Sequence, residues 1–249
     1  MTEAEWVATS EPVSVSSFPM LEFAQGKASE RKLRLFCVAC CRRIAHVVPN
    51  EDLRRLLDVS EAYADGNSVA PGLRKAVADW ERLESLSDRW ITVIESIALD
   101  AIRGLDETMD IAVAGASRDS AAVMGHLLFA AQNLTEEEAR QPVNPQGVSV
   151  KMLWINKGWK QEYLEQSRIL KDICGNPFRA VAFDSDWRTE DTVGISLKMY
   201  EERDFGAMPI LADALEKAGC VEESILGHCR EPGVHVRGYW VVDLVLGKA

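Results

Sequence analysis

The chain has 249 residues, 39 acidic and 28 basic side chains, a net charge of −11, 47% hydrophobic residues and a mean hydropathy of −0.10. That is enough chain to bury a core without disulfides or a structural metal, and it excludes intrinsic disorder for most of its length. It also excludes an apolar run of roughly 18 residues that would span a membrane, since the longest stretches, Phe36–Cys41 and Ile91–Ala98, are short or interrupted.

The N-terminus carries no Lys or Arg before Lys27, the opposite of a secretory leader, so the expected location is the cytoplasm, with the six cysteines as thiols. Residues 7–20 mix Ser, Thr and Pro without periodicity and read as an extended lead-in, with helices beginning after it. From Glu30 to Val48, at helical spacing, Leu33, Phe36, Cys37, Cys40, Cys41, Ile44, Val47 and Val48 share one arc. Arg31, Lys32, Arg42, Arg43 and His46 gather opposite, which makes this the clearest amphipathic helix in the chain. Pro49-Asn50 ends it, and the acidic first turn of Glu51–Ala64 suits the next helix, which leaves through Asp65-Gly66.

Pro71 is placed to open a helix through Leu73, Val77 and Trp80, and Ser87 to cap another through Trp90, Ile94 and Ala101 up to Gly104. The Ala- and Gly-containing stretch 106–133 predicts a helix over 118–132, weakened by Gly125 at about 1 kcal/mol relative to Ala. Thr135 to Glu138 has capping-box spacing, and Gln141 to Gly147 is the strongest breaker cluster, taken as the seam between a 1–140 lobe and a 148–249 lobe. A helix over 158–174 stops at Gly175-Asn176-Pro177, and irregular chain follows to Arg188. Thr189 caps 190–203, Pro209 opens a helix closed by Gly219, and Val221–Cys229 is a short further helix. Residues 236–246 are apolar on almost every side as a helix, while their β-branched content suits a strand; eleven residues among helices favour the helix. The expected fold is all-α or mostly α, an irregular multi-helix bundle, with a strand at 236–246 as the alternative.

Three groups of side chains are candidates for chemistry. Cys37, Cys40 and Cys41 have the spacing of a metal knuckle, but all three fall on the apolar arc and His46 faces away, so core packing is expected. The basic group Arg31, Lys32, Arg42, Arg43 and His46 reads as a face paired with the acids of the next helix, such as Glu51, Asp52 and Asp58, or as the docking face for an acidic protein partner; nucleic acid is the least favoured use. Near the C-terminus Cys220, His228, Cys229 and His235 are weak candidates for a zinc site or an imidazole-activated thiol, although their spacing matches no zinc signature; Arg237 and Asp243 are read as a structural ion pair. Asp184 and Asp186 beside Trp187 read as solvated loop acids. Nucleophile elbows, phosphate loops and metalloprotease helices have no counterpart in the sequence.

Two blocks carry a resemblance. Thr2-Glu3-Ala4-Glu5-Trp6, Met20-Leu21-Glu22-Phe23 and Lys27 to Phe36, running into Ala39-Cys40-Cys41-Arg42-Arg43-Ile44, resemble the opening of an uncharacterised family of planctomycete-type bacterial proteins. Gly175-Asn176-Pro177-Phe178-Arg179, Leu211 to Glu216, Ala218-Gly219-Cys220 and His235-Val236-Arg237-Gly238 through Leu244 are similar to its closing block. The resemblance implies no activity, cofactor or catalytic residue. If the two blocks form one structural unit, the middle helices, about residues 70–150, are an insertion facing different partners. The expected function is that of a non-catalytic interaction or adaptor module with no cofactor and no membrane partner; a metal- or thiol-dependent hydrolase and a nucleic-acid binder are the alternatives.

Overall fold

The computed structural model describes residues 1–8, 18–45, 51–67, 109–233 and 235–248. Among them the fold is all-α, an irregular multi-helix bundle whose one β feature is an isolated bridge between Pro142 and Ser149. The helices expected over 71–83 and 87–101 lie outside the described residues, as do Pro49, Asn50 and His46.

The first half contains α1 (Glu3–Ala8), α2 (Pro19–Gln25), α3 (Glu30–Ile44), α4 (Glu51–Ala64), α5 (Met109–Ala130), α6 (Glu136–Arg140) and α7 (Val150–Cys174). The second contains α8 (Glu190–Glu202), α9 (Met208–Lys217), α10 (Glu223–Arg230) and α11 (Trp240–Leu246). The chain is helical earlier than the lead-in reading allows. In α1, Thr2 and Glu5 cap each other's backbone N–H, and the Trp6 indole donates to the Gly175 carbonyl at 3.1 Å, so six residues hold a turn too short to show a period.

Side-chain caps set most of the remaining boundaries. Ser29, Thr135, Ser149 and Thr189 each accept a backbone N–H at the start of α3, α6, α7 and α8. Ser149 places the start of α7 eight residues before the expected position, so Gly158, taken as the first residue of that helix, lies inside it. There a Cβ would sit 2.9 Å from the Gly125 Cα and 2.9 Å from the Leu128 Cβ, so the two glycines let α5 and α7 cross at close range. The same crossing buries a satisfied polar knot, in which Gln166 Nε2 donates to Ser120 Oγ at 2.9 Å and to the Ser117 carbonyl at 3.1 Å.

The C-terminal segment is a helix, and the strand alternative is set aside. Gly238 has φ +91° and ends the approach to α11, because a Cβ there would meet Leu35 Cδ1 at 2.7 Å. The helix covers seven residues rather than eleven, the remainder forming the turn that Gly238 makes.

Two apolar clusters form. One gathers α1 to α5 and α7 around α3, where every residue from Leu33 to Cys41 is buried. The other gathers α8 to α11 around Leu211, Leu215, Ile225 and Val241. The loop 141–147 is a tight connection in which the Val143 N–H donates to the Val148 carbonyl, and α7 beyond it packs into the first cluster.

Candidate functional site

The polar flank of α3 is expected either to pair with the acids of the next helix or to dock an acidic partner, and it is paired: Arg42 meets Asp58 of α4 at 2.7 Å, and the α8 end and the C-terminal segment cover the rest. Arg31 makes a bidentate pair with Asp243, at 2.6 and 2.9 Å, and its Nε and Nη2 reach Asp65 Oδ1 at 3.1 and 3.0 Å. Tyr200 accepts from Arg31 at 2.7 Å and donates to Asp65 at 2.6 Å. Arg237 Nη2 stands 3.0 Å from Asp65 Oδ2, with its guanidinium 4.5 Å above the Tyr200 ring, and Lys248 Nζ is 3.6 Å from Asp65 Oδ1.

The network continues along the helix. Arg42 and Arg203 both grip Glu61, through Nε at 2.8 and 2.9 Å, and both reach Asp58. Arg237 therefore pairs with Asp65 and, at 3.3 Å, with Glu61, while Asp243 pairs with Arg31. The expected Arg237–Asp243 pair is corrected on this point: each group meets a more distant partner, because the turn at Gly238 brings the segment against α3. Asp65 is fully buried as a side chain, and Arg31 is 13% exposed. Burial alone would raise Asp65, but the Tyr200 hydroxyl and the cations Arg31, Lys248 and Arg237 hold it below the usual carboxylate range. Burial also pushes the Asp243 carboxyl up, and the bidentate guanidinium works against that. The two blocks behind the family resemblance meet in this network.

The other basic candidates are engaged as well. Arg43 makes a bidentate pair with buried Glu162 of α7 at 2.7 and 2.9 Å, and Lys32 Nζ donates to the Ile173 carbonyl at 2.8 Å. Cys37, Cys40 and Cys41 lie in the core, and burial pushes the Cys40 thiol well above its ordinary range.

A second polar cluster forms where α7 ends. Asp172 is buried, accepts from His235 Nδ1 at 2.7 Å and from the Val236 N–H at 2.9 Å, and lies 4.0 Å from His228 Nε2. His228 stacks on Tyr239 and Trp240, with centroids 5.2 and 5.6 Å away. Burial raises Asp172 and lowers His228, so both neutral forms are favoured by their surroundings. The four Cys and His candidates do not converge. His228 and His235 share Asp172, Cys229 instead faces the Tyr239 hydroxyl at 3.9 Å, and Cys220 is buried. Burial pushes the Cys229 thiol up to about 12, which removes the thiolate a nucleophile needs. Among the described residues no group of three or more His, Cys, Asp or Glu side chains is arranged to hold a metal. Asp184 is the cap of a short 3-10 turn, accepting from the Asp186 N–H at 3.0 Å.

Sequence reasoning missed Asp65, Glu61, Tyr200, Glu162 and Asp172. A signal existed for two of them: Glu162 and Asp172 sit among Trp159, Tyr163, Ile169, Leu170 and Ile173 on the buried side of α7, and a carboxylate on an apolar stripe demands a partner. No protein family, no curated protein and no solved structure matches the chain.

Proposed function

We propose that the protein is a non-catalytic interaction module of the bacterial cytoplasm, related to the planctomycete-type family its terminal blocks resemble. One observation carries this reading. Among the described residues the candidate side chains are engaged inside the fold: the guanidiniums of Arg31, Arg42 and Arg43 on buried acids, five of the six thiols in the core, and the imidazole of His235 on Asp172. Six free cysteines, five of them buried, suit a reducing compartment. Among the described residues no helix is long and apolar enough to cross a membrane.

The hydrolase alternative has an Asp172–His235 pair, but its thiol candidate Cys229 faces the Tyr239 hydroxyl and is held protonated by burial. The nucleic-acid alternative loses its basic face to intramolecular pairs, against a net charge of −11. The acidic-partner expectation weakens for the same reason.

Elemental analysis of untagged protein together with an ester and peptide hydrolysis panel tests the reading. The expected result is a folded, metal-free, inactive chain that cross-links in cells to one partner at near-stoichiometric yield. One zinc per chain, lost in His235→Ala, or turnover of any substrate in the panel, overturns it.

A further inference from the structure

We infer that the groove between α8 and α9 is a docking site for a basic amphipathic helix of another protein, an inference that rests on the interaction-module reading. The groove encloses about 610 Å³, and its apolar surface comes from Ile195, Ile210, Ala214 and the bare backbone at Gly194. Ile210 is 59% exposed, and Leu197, one helical turn beyond Gly194, is 43% exposed. Among the described residues, Glu190 and Asp191 at one end are its unengaged carboxylates, Asp213 along the side already meets Arg230 at 3.1 Å, and Lys217 is the one ammonium of the lining. An apolar floor with acidic edges fits a helix that presents leucine-like side chains flanked by lysine or arginine. A second copy of this acidic chain fits it less well, because the described arginines on α3 are already paired with its own acids.

Gly194 supplies the sharper argument. A glycine inside a helix costs about 1 kcal/mol relative to alanine. Among the described residues nothing calls for it: its φ is not positive, and a Cβ built there meets nothing within 4 Å. At Gly125 and Gly158 the same residue type is explained by a helix crossing at close range, where a Cβ would strike Ile155 or Leu128. Gly194 leaves bare backbone on the open groove, room that the proposed helix would fill.

The test uses the full chain and two synthetic amidated helices of roughly 18 residues, about five turns, identical except that one carries lysine and the other glutamate beside a leucine stripe. Backbone amide shifts locate binding. The lysine helix is expected to perturb amides of α8 and α9, to weaken with added salt, and to outbind the glutamate helix by at least about tenfold. Gly194→Ala is expected to raise the melting temperature, and Gly194→Leu to reduce binding by about tenfold or more in a chain that remains folded. Equal binding of both helices, perturbations centred elsewhere, or undiminished binding to Gly194→Leu overturns the proposal. Self-association that shifts the same amides without peptide also overturns it, making a second copy the occupant. A native partner cross-linked to another face would sink the groove while leaving the interaction-module reading standing, whereas hydrolytic turnover would sink that reading and leave the peptide result intact.

Discussion

Two carboxylates, Asp65 and Asp172, are buried in the described structure with opposite outcomes. Asp65 has three cations and a phenol around it and stays below the usual carboxylate range despite burial. Asp172 has two imidazoles and one backbone N–H, and burial prevails, raising it. The difference lies in the partners. Guanidinium and ammonium groups keep their charge across the accessible pH range, whereas an imidazole beside aromatic rings gives its charge up when desolvated. The first cluster is therefore a permanent clasp between the terminal blocks, whereas in the second acid loosens the fold through His228, against a raised Asp172 whose contribution has the opposite sign.

The largest expected effect comes from breaking the clasp on one side only. Arg31→Ala leaves Asp243 and Asp65 buried without their main cation and is expected to cost about 3–5 kcal/mol, read by urea denaturation. Replacing Arg31 and Asp243 together by Met and Leu should cost much less, because no charge is stranded. A double variant as unstable as the single one would show that the residues matter for shape rather than charge.

Gly238→Ala attacks the same contact through the backbone. A side chain at positive φ that also overlaps Leu35 is expected to lose about 2–4 kcal/mol, combining left-handed strain with overpacking. A melting temperature equal to the parent's would mean that the turn relaxes away from α3.

Acid distinguishes the two clusters. His228 is lowered below its ordinary value of 6.5 by burial, with Asp172 and Glu231 pulling the other way. Its contribution to stability is present above pH 6.5 and is lost as pH falls through its lower folded value, because the unfolded chain takes up the proton first. Asp65, also lowered, keeps its contribution until pH falls below 3.8. Thermal melts between pH 8 and 5 should thus show a decline that His228→Phe flattens and Asp65→Asn does not. A decline unchanged in His228→Phe would assign the acid sensitivity elsewhere. The smallest effect belongs to the rim: Asp58→Asn, at a half-exposed carboxylate shared by Arg42 and Arg203, should change stability by no more than about 1 kcal/mol in the same assay.

What could be read from the residues was local. The Thr135 capping box, the Thr189 cap, the Pro209 start and the run 51–64 depend on groups within one helical turn of each other, and each stands where the sequence places it. Glycines were less legible. Gly158 reads as the start of a helix, yet it lies inside one and admits a neighbouring helix, and no local pattern distinguishes those two uses.

The sequence by itself determined a mostly or wholly helical fold for the described residues, the Thr135- and Thr189-capped helix starts, and the burial of Cys37, Cys40 and Cys41, because period and capping act over three or four residues. Only the tertiary structure decided what the basic side of α3 meets. Arg31 finds Asp65 34 residues away and Asp243 212 residues away, so its environment depends on how α4 and α11 return to the same helix. A side chain's charge is written in the sequence, but its partner is set by packing across the whole chain.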